Sequence, residues 1–113
     1  MQFQAKVKRV VDGDTLDCDI DLGFHITLSE RVRLMGVDTP ETRTRDPVEK
    51  ANGLKSKSFV EDFVALKDGN VLLKVHGFGK FGRPLADLFV DGINLNHKLV
   101  DLGYAAPYFG GKR

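Results

Sequence analysis

The chain has 113 residues, 42% of them hydrophobic and 29% charged, and a net charge of +1. That length suits one domain with its own core, expected over residues 1–113, and the composition excludes disordered and fibrous classes. No apolar run nears the ~20 residues of a membrane span, the first residues lack the apolar segment of a signal peptide, and the lone Cys18 excludes an internal disulfide. A monomer with no membrane contact is the expectation, intracellular or phage-encoded, or secreted if a leader has been replaced by Met1.

Residues 5–11 alternate as a strand and run into an Asp-Gly turn at "DGDT". In residues 15–22, Leu16, Cys18, Ile20 and Leu22 share one face and Asp17, Asp19 and Asp21 the other, which predicts a half-buried antiparallel strand. A third strand is predicted over about 24–37, with Ile26, Leu28, Val32 and Leu34 on one parity. Arg31 and Arg33 take the opposite parity, so Arg33 can point into a groove.

"DPVE" offers a capped helix start, with Asp46 as N-cap, Pro47 first and Glu49 closing a capping box. Asn52-Gly53 interrupts it, so the helix is expected over about 54–67, with Phe59, Val60, Phe63, Val64 and Leu66 at helical spacing. Strands follow at 70–77 and 84–91, joined by "GFGKFGR". Asn94 then caps a short helix carrying Leu95, Leu99 and Leu102, stopped by Gly103. The order β-β-β-α-β-β-α predicts an α+β, mainly β, fold: a five-stranded OB-type Greek-key barrel with two flanking helices.

Charge is unevenly distributed. Asp12, Asp14, Asp17, Asp19 and Asp21 crowd the first hairpin, while cations gather elsewhere, as at Arg31 and Arg33, Arg43 and Arg45, and Lys80 and Arg83. That division suits a cation site beside an anion-binding surface. "DGDTLDCDID" is not a calcium loop of the EF-hand type, because Leu16, Asp17 and Gly23 occupy the positions that need a ligand, a glycine and a glutamate. A hairpin turn and a solvated strand face account for Asp12, Asp17, Asp19 and Asp21; Asp14, which shares parity with Leu16, leans toward the apolar side.

"GFGKFG" fits G-x-G-x-x-G but opens a strand, so it is no dinucleotide fingerprint. What it offers is a glycine-rich connection presenting Lys80 and Arg83. "VDTPE" is the strongest local signal. Pro40 has no N–H and pushes Thr39 toward an extended conformation, ending strand pairing there. Asp38 with the Thr39 carbonyl is then half a hard-cation site, with Glu41 beyond it as a candidate base. A turn with surface acids explains the same residues. His25, His76 and His97 share no ligand spacing, and no nucleophile arrangement is present.

Taken together, "VVDGDTL", "RVRLMGVDTPE", "GKFGRPLADLFVDG" and "NLNHKLVDLGYA" resemble, in order and spacing, the staphylococcal nuclease (thermonuclease) family over residues 5–108. The resemblance implies an OB-type barrel and a Ca²⁺-dependent phosphodiesterase acting on DNA and RNA with little sequence preference, leaving 3′-phosphate ends. It implies Asp14, Asp38 and Thr39 as metal ligands, Glu41 as the base, Arg33 and Arg83 as a phosphate clamp, and Lys80 and Tyr108 as substrate contacts.

Two departures stand out: Phe81 replaces a usual Tyr, removing a hydroxyl, and the chain ends at Arg113 where familiar members continue into another helix. The latter leaves two readings, a compact variant or a chain that has been cut short. The alternative is a catalytically inactive nuclease-like module that binds nucleic acid or protein. An ordinary OB-fold single-strand binder would show exposed stacking aromatics, for which Phe78, Phe81, Tyr104, Tyr108 and Phe109 are candidates.

Overall fold

A computed structural model of the chain describes residues 1–109, so 110–113 of the expected domain lie outside the described residues. The elements in order are β1 (Gln2–Asp12), β2 (Thr15–Gly23), β3 (Ile26–Leu34), β4 (Val37–Asp38), α1 (Pro47–Ala65), β5 (Asn70–Phe78), a 3₁₀ turn (Lys80–Gly82), β6 (Pro84–Val90), β7 (Ile93–Asn94), α2 (Leu95–Asp101) and β8 (Ala106–Pro107). The long strands lie in the order β3-β2-β1-β5-β6, and β3 pairs with β6 to close the sheet. The result is the expected OB-type barrel of five strands with two helices. Among the described residues no helix is long and apolar enough to cross a membrane.

Closure depends on irregularity. Register shifts in β1 between Val7 and Arg9, and again between Val10 and Asp12, add the bend and twist that a closing sheet requires. The closing seam is parallel and short, pairing Arg33 with Leu85 and Leu34 with Ala86. Asn96 of α2 staples it: the side chain is buried, its Oδ1 accepts from the Leu88 N–H (3.1 Å), and its Nδ2 donates to the carbonyls of Met35 (2.8 Å) and Ala86 (3.0 Å). A buried amide with its partners met fixes geometry rather than costing stability.

Leu16, Cys18 and Ile20 of β2 point into the core with Val32, Leu34, Leu73 and Leu88, as alternation predicts, and α2 adds Leu95 and Leu99. Burial raises the Cys18 thiol to about 12, so it is an inert core residue. The wet face of β2 is more ordered than a solvated strand: Asp17 takes Arg31, and Asp19 accepts from Ser29 Oγ at 2.7 Å.

Three local expectations change. The third strand does not run 24–37. Phe24 and His25 both have positive φ and form the tight hairpin turn, and the chain bends at Met35-Gly36 before β4. Leu22, Ile26 and Leu28 keep the inward parity but lie beyond the barrel's end, where they are exposed. Helix α1 runs unbroken through Asn52-Gly53 from Pro47 to Ala65. Asp46 does cap it, accepting from Val48 N (2.9 Å) and Glu49 N (3.4 Å), but Glu49 turns away from the predicted capping box. Its carboxylate instead accepts from Thr44 Oγ1 (3.2 Å) and the Glu41 N–H (3.4 Å), upstream of the helix.

Candidate active site

Asp14 ends the β1–β2 turn and is 7% exposed. Its Oδ1 accepts from Thr15 Oγ1 (2.9 Å) and its Oδ2 from the Thr39 N–H (3.0 Å), while its carbonyl accepts from the Leu34 N–H (2.8 Å). The first turn is thereby tied to the end of β3 and to the residue before Pro40. Gly13 permits this approach: a Cβ there would stand 2.9 Å from both the Thr39 Cγ2 and the Ser56 Cβ.

Arg33 reaches across the cluster. Nη1 stands 3.1 Å from Asp14 Oδ2 and Nη2 stands 3.7 Å from Asp38 Oδ1; Nη1 also donates to the carbonyls of Asp14 (3.4 Å) and Leu34 (3.3 Å). One guanidinium thus bridges two carboxylates on separate elements, each mostly shielded from solvent. The Thr39 hydroxyl beside them is buried and has no hydrogen-bond partner among the described residues. Two carboxylates held by one guanidinium, with an orphaned buried hydroxyl on the residue whose N–H binds Asp14, are oxygen donors of the kind hard cations accept. Asp14, Asp38 and Thr39 therefore fit Ca²⁺ by donor chemistry, although no group of three His, Cys, Asp or Glu able to hold a metal occurs among the described residues.

The barrel seam supplies the other half. Because β3 meets β6 at Arg33 and Leu85, the start of β6 lies beside Arg33. A cleft of about 520 Å³ opens there, with Arg33, Lys80, Arg83 and Tyr108 among its walls and apolar Leu85 and Phe109 completing it. Tyr108 is held there because β8 pairs with β4 (Val37 to Pro107, Asp38 to Ala106) and its N–H donates to the Gly36 carbonyl at 2.9 Å. Phe81, with φ near 60°, puts its ring 5.4 Å from the Arg83 guanidinium carbon. The side chain that lacks the hydroxyl thus contributes a cation–π contact.

Glu41 stands apart from both groups. It is exposed, its carboxylate makes no ion pair among the described residues, and its N–H donates to Glu49. A second cleft, about 560 Å³, lies between Asp38, Thr39 and Pro40 on one side and Glu49, Asn52 and Tyr104 on the other. The structure therefore gathers Asp14, Arg33, Asp38 and Thr39 in one cluster and Lys80, Arg83 and Tyr108 around the adjoining cleft. Sequence reading passed over Asp12, assigned to a solvated turn. Its Oδ1 accepts from both the Thr42 N–H (3.3 Å) and Thr42 Oγ1 (2.5 Å), anchoring the chain next to Glu41. Only tertiary contact reveals that role, since Thr42 is 30 positions away.

A profile of the family described as staphylococcal nuclease homologue matches residues 31–113. The chain is similar to a thermonuclease of Staphylococcus intermedius, 34% identical over 91% of this chain and 58% of that protein. It is also similar to an uncharacterized endonuclease of Haemophilus influenzae (35% identical, covering 92% of this chain and 52% of that one). Endonuclease YhcR of Bacillus subtilis is 31% identical over 96% of this chain but only 9% of its own length. The chain thus spans little more than half of the thermonuclease it matches. By the length and agreement of these matches, the chain belongs to the staphylococcal nuclease homologue family.

Proposed function

We propose that the chain is a Ca²⁺-dependent phosphodiesterase that hydrolyses DNA and RNA with little sequence preference and leaves 3′-phosphate ends. The observation that carries this reading is Arg33: it bridges Asp14 and Asp38 while lining the cleft shared with Lys80, Arg83 and Tyr108. Phosphate recognition and a two-carboxylate cation site thereby meet at one side chain.

In this reading Asp14, Asp38 and Thr39 would hold Ca²⁺, which when bound would supply positive charge against a phosphate whose negative charge grows during attack. Arg33 and Arg83 present forked donors to the non-bridging oxygens, and Lys80 adds a point charge. Glu41, exposed and in no ion pair among the described residues, accepts the proton of the attacking water, a role worth about 10²–10⁴-fold. The bond from phosphorus to the 5′ oxygen then breaks, and that oxygen takes a proton from the water of the open cleft. An arginine pKa above ~12 makes Arg83 a poor acid for this step. The rings of Tyr108 and Phe109 line the same cleft, and aromatic faces stack on any base.

The test is incubation of plasmid, single-stranded DNA and RNA with the protein, in Ca²⁺ or in a chelator. Degradation only with Ca²⁺ is expected; intact substrates at micromolar protein would favour the inactive binding module instead. Glu41→Gln is expected to lose about 10²–10⁴-fold in kcat while still binding a nucleoside bisphosphate, and cleavage at the parent rate would remove Glu41 from the role of base.

A further inference from the structure

We propose that Gly53 is a positioning residue, through which helix α1 sets where Glu41 stands relative to Asp14. The inference rests on the reading of Glu41 as the base. Glycine is among the poorest residues for a helix interior, yet α1 passes through Gly53 without a break and buries it. What lies against it explains the choice. A Cβ at residue 53 would stand 2.6 Å from the Glu41 carbonyl oxygen, 2.8 Å from its carbonyl carbon and 2.8 Å from the Pro40 carbonyl oxygen. All three are main-chain atoms, which cannot rotate away as a flexible side chain can.

One turn further along, α1 touches the other half of the cluster. Ser56 is fully buried, and its Oγ donates to the Tyr104 carbonyl at 2.6 Å. Its Cβ packs where any side chain on Gly13 would have to go, beside Thr39 and next to Asp14. Residues 53 and 56 share a helix face, so one rigid surface meets both the Pro40–Glu41 backbone and the turn carrying Asp14. The helix itself has little freedom to retreat. Val60, Phe63 and Val64 are in the core, and Phe59 stacks on Tyr104 with centroids 4.7 Å apart. An added methyl group at residue 53 therefore displaces the Glu41 segment rather than α1. The Glu41 N–H donates to Glu49 of the helix and Thr42 donates to Asp12 at the end of β1, so the segment is tied both to α1 and to the first strand.

Gly53→Ala is the test, with exposed Lys55→Ala as control. A misplacement of about 1 Å can cost ~10²-fold, so kcat is expected to fall roughly 10–100-fold while KM stays within about threefold, because the phosphate-binding arginines sit on other elements. The same change on a Glu41→Gln background is expected to cost less than about twofold further; a second loss as large as the first would mean general damage and overturn the proposal. Amide NMR of the free protein gives a readout independent of turnover. The Glu41 and Thr42 signals should shift while Leu73 and Leu88 of the core do not, and unmoved Glu41 and Thr42 signals would overturn it. Were Gly53→Ala alone not to fold, Gly53→Ala with Thr42→Val, which removes the hydroxyl bond to Asp12 and keeps the main-chain one, carries the kinetic measurements, with Thr42→Val alone as its reference. A parent protein that cleaves no nucleic acid would refute the functional reading, while the amide shifts still decide the placement of Glu41.

Discussion

Arg31 and Arg33 stand two residues apart on β3 with the same parity, and each meets an aspartate from the first hairpin. Arg31 lies directly across from Asp17 and forks onto it, Nε to Oδ1 at 2.8 Å and Nη2 to Oδ2 at 3.2 Å, with both side chains about a third exposed. Its guanidinium holds the Asp17 carboxyl below the usual carboxylate range, and Asp17 in turn raises the arginine. Arg33 is less exposed and divided: it reaches Asp14 at 3.1 Å, Asp38 at 3.7 Å and two carbonyls, and matches none of them as a fork. The pair at Arg31 is complete in itself, whereas Arg33 lies where β6 joins β3 and borders an open cleft with a second carboxylate beside it. Barrel closure, acting on two near-identical strand positions, makes one a surface ion pair and the other the centre of a candidate site.

Substitution should separate the two arginines. Arg33→Ala is expected to have the largest effect, lowering kcat about 10²–10³-fold as for other removed transition-state donors. It should also cost about 1–3 kcal/mol in urea unfolding, since Asp14 stays buried without its cation. Arg33→Lys keeps the charge but cannot span both carboxylates; losing one charge-assisted bond, about 1.5–3 kcal/mol, corresponds to roughly 10–100-fold in kcat/KM. Arg31→Ala should change turnover less than about twofold, because exposed pairs contribute little; a loss comparable to Arg33→Ala would erase the distinction between the two sites.

Asp17→Asn should have the smallest effect, a small loss of stability that disappears in acid. The folded carboxyl sits below its ordinary value of 3.8, so its stabilisation is present above that pH and is lost as pH falls through the folded value. The melting temperatures of parent and variant should therefore differ at neutral pH and converge below 3.8. Curves that stayed parallel down to the acid limit would mean that Asp17 is not held by Arg31.

Much of the fold was legible because its signals are local. Alternation in Leu16, Cys18 and Ile20 named the buried face of β2, and the Asn94 cap, accepting from His97 N at 3.1 Å, together with Gly103 bounded α2. Proline at residue 40 marked the end of the ladder after Asp38. What misled was also local. Gly53 read as a helix break because propensity counts only the glycine, not the backbone pressed against it. Glu49 read as a capping-box partner, but the Glu41 N–H and Thr44 hydroxyl compete for the same carboxylate and win it. Phe24 was placed in the third strand, although a two-residue connection needs positive φ at both central residues.

By itself the sequence determined the order of the five long strands and two helices, the buried residues Leu16, Cys18 and Ile20 of β2 and the motifs that mark the family, since each depends on spacing within one segment. Tertiary structure decided which polar residues meet. Asp12 with Thr42 and Arg33 with both Asp14 and Asp38 join separate elements, and Tyr108 and Arg83 share a cleft with Arg33 where two residue pairs and a buried Asn96 close the barrel. Contacts of that kind join residues far apart in the chain, and their distances are set by how the sheet bends and seals rather than by any pattern along it.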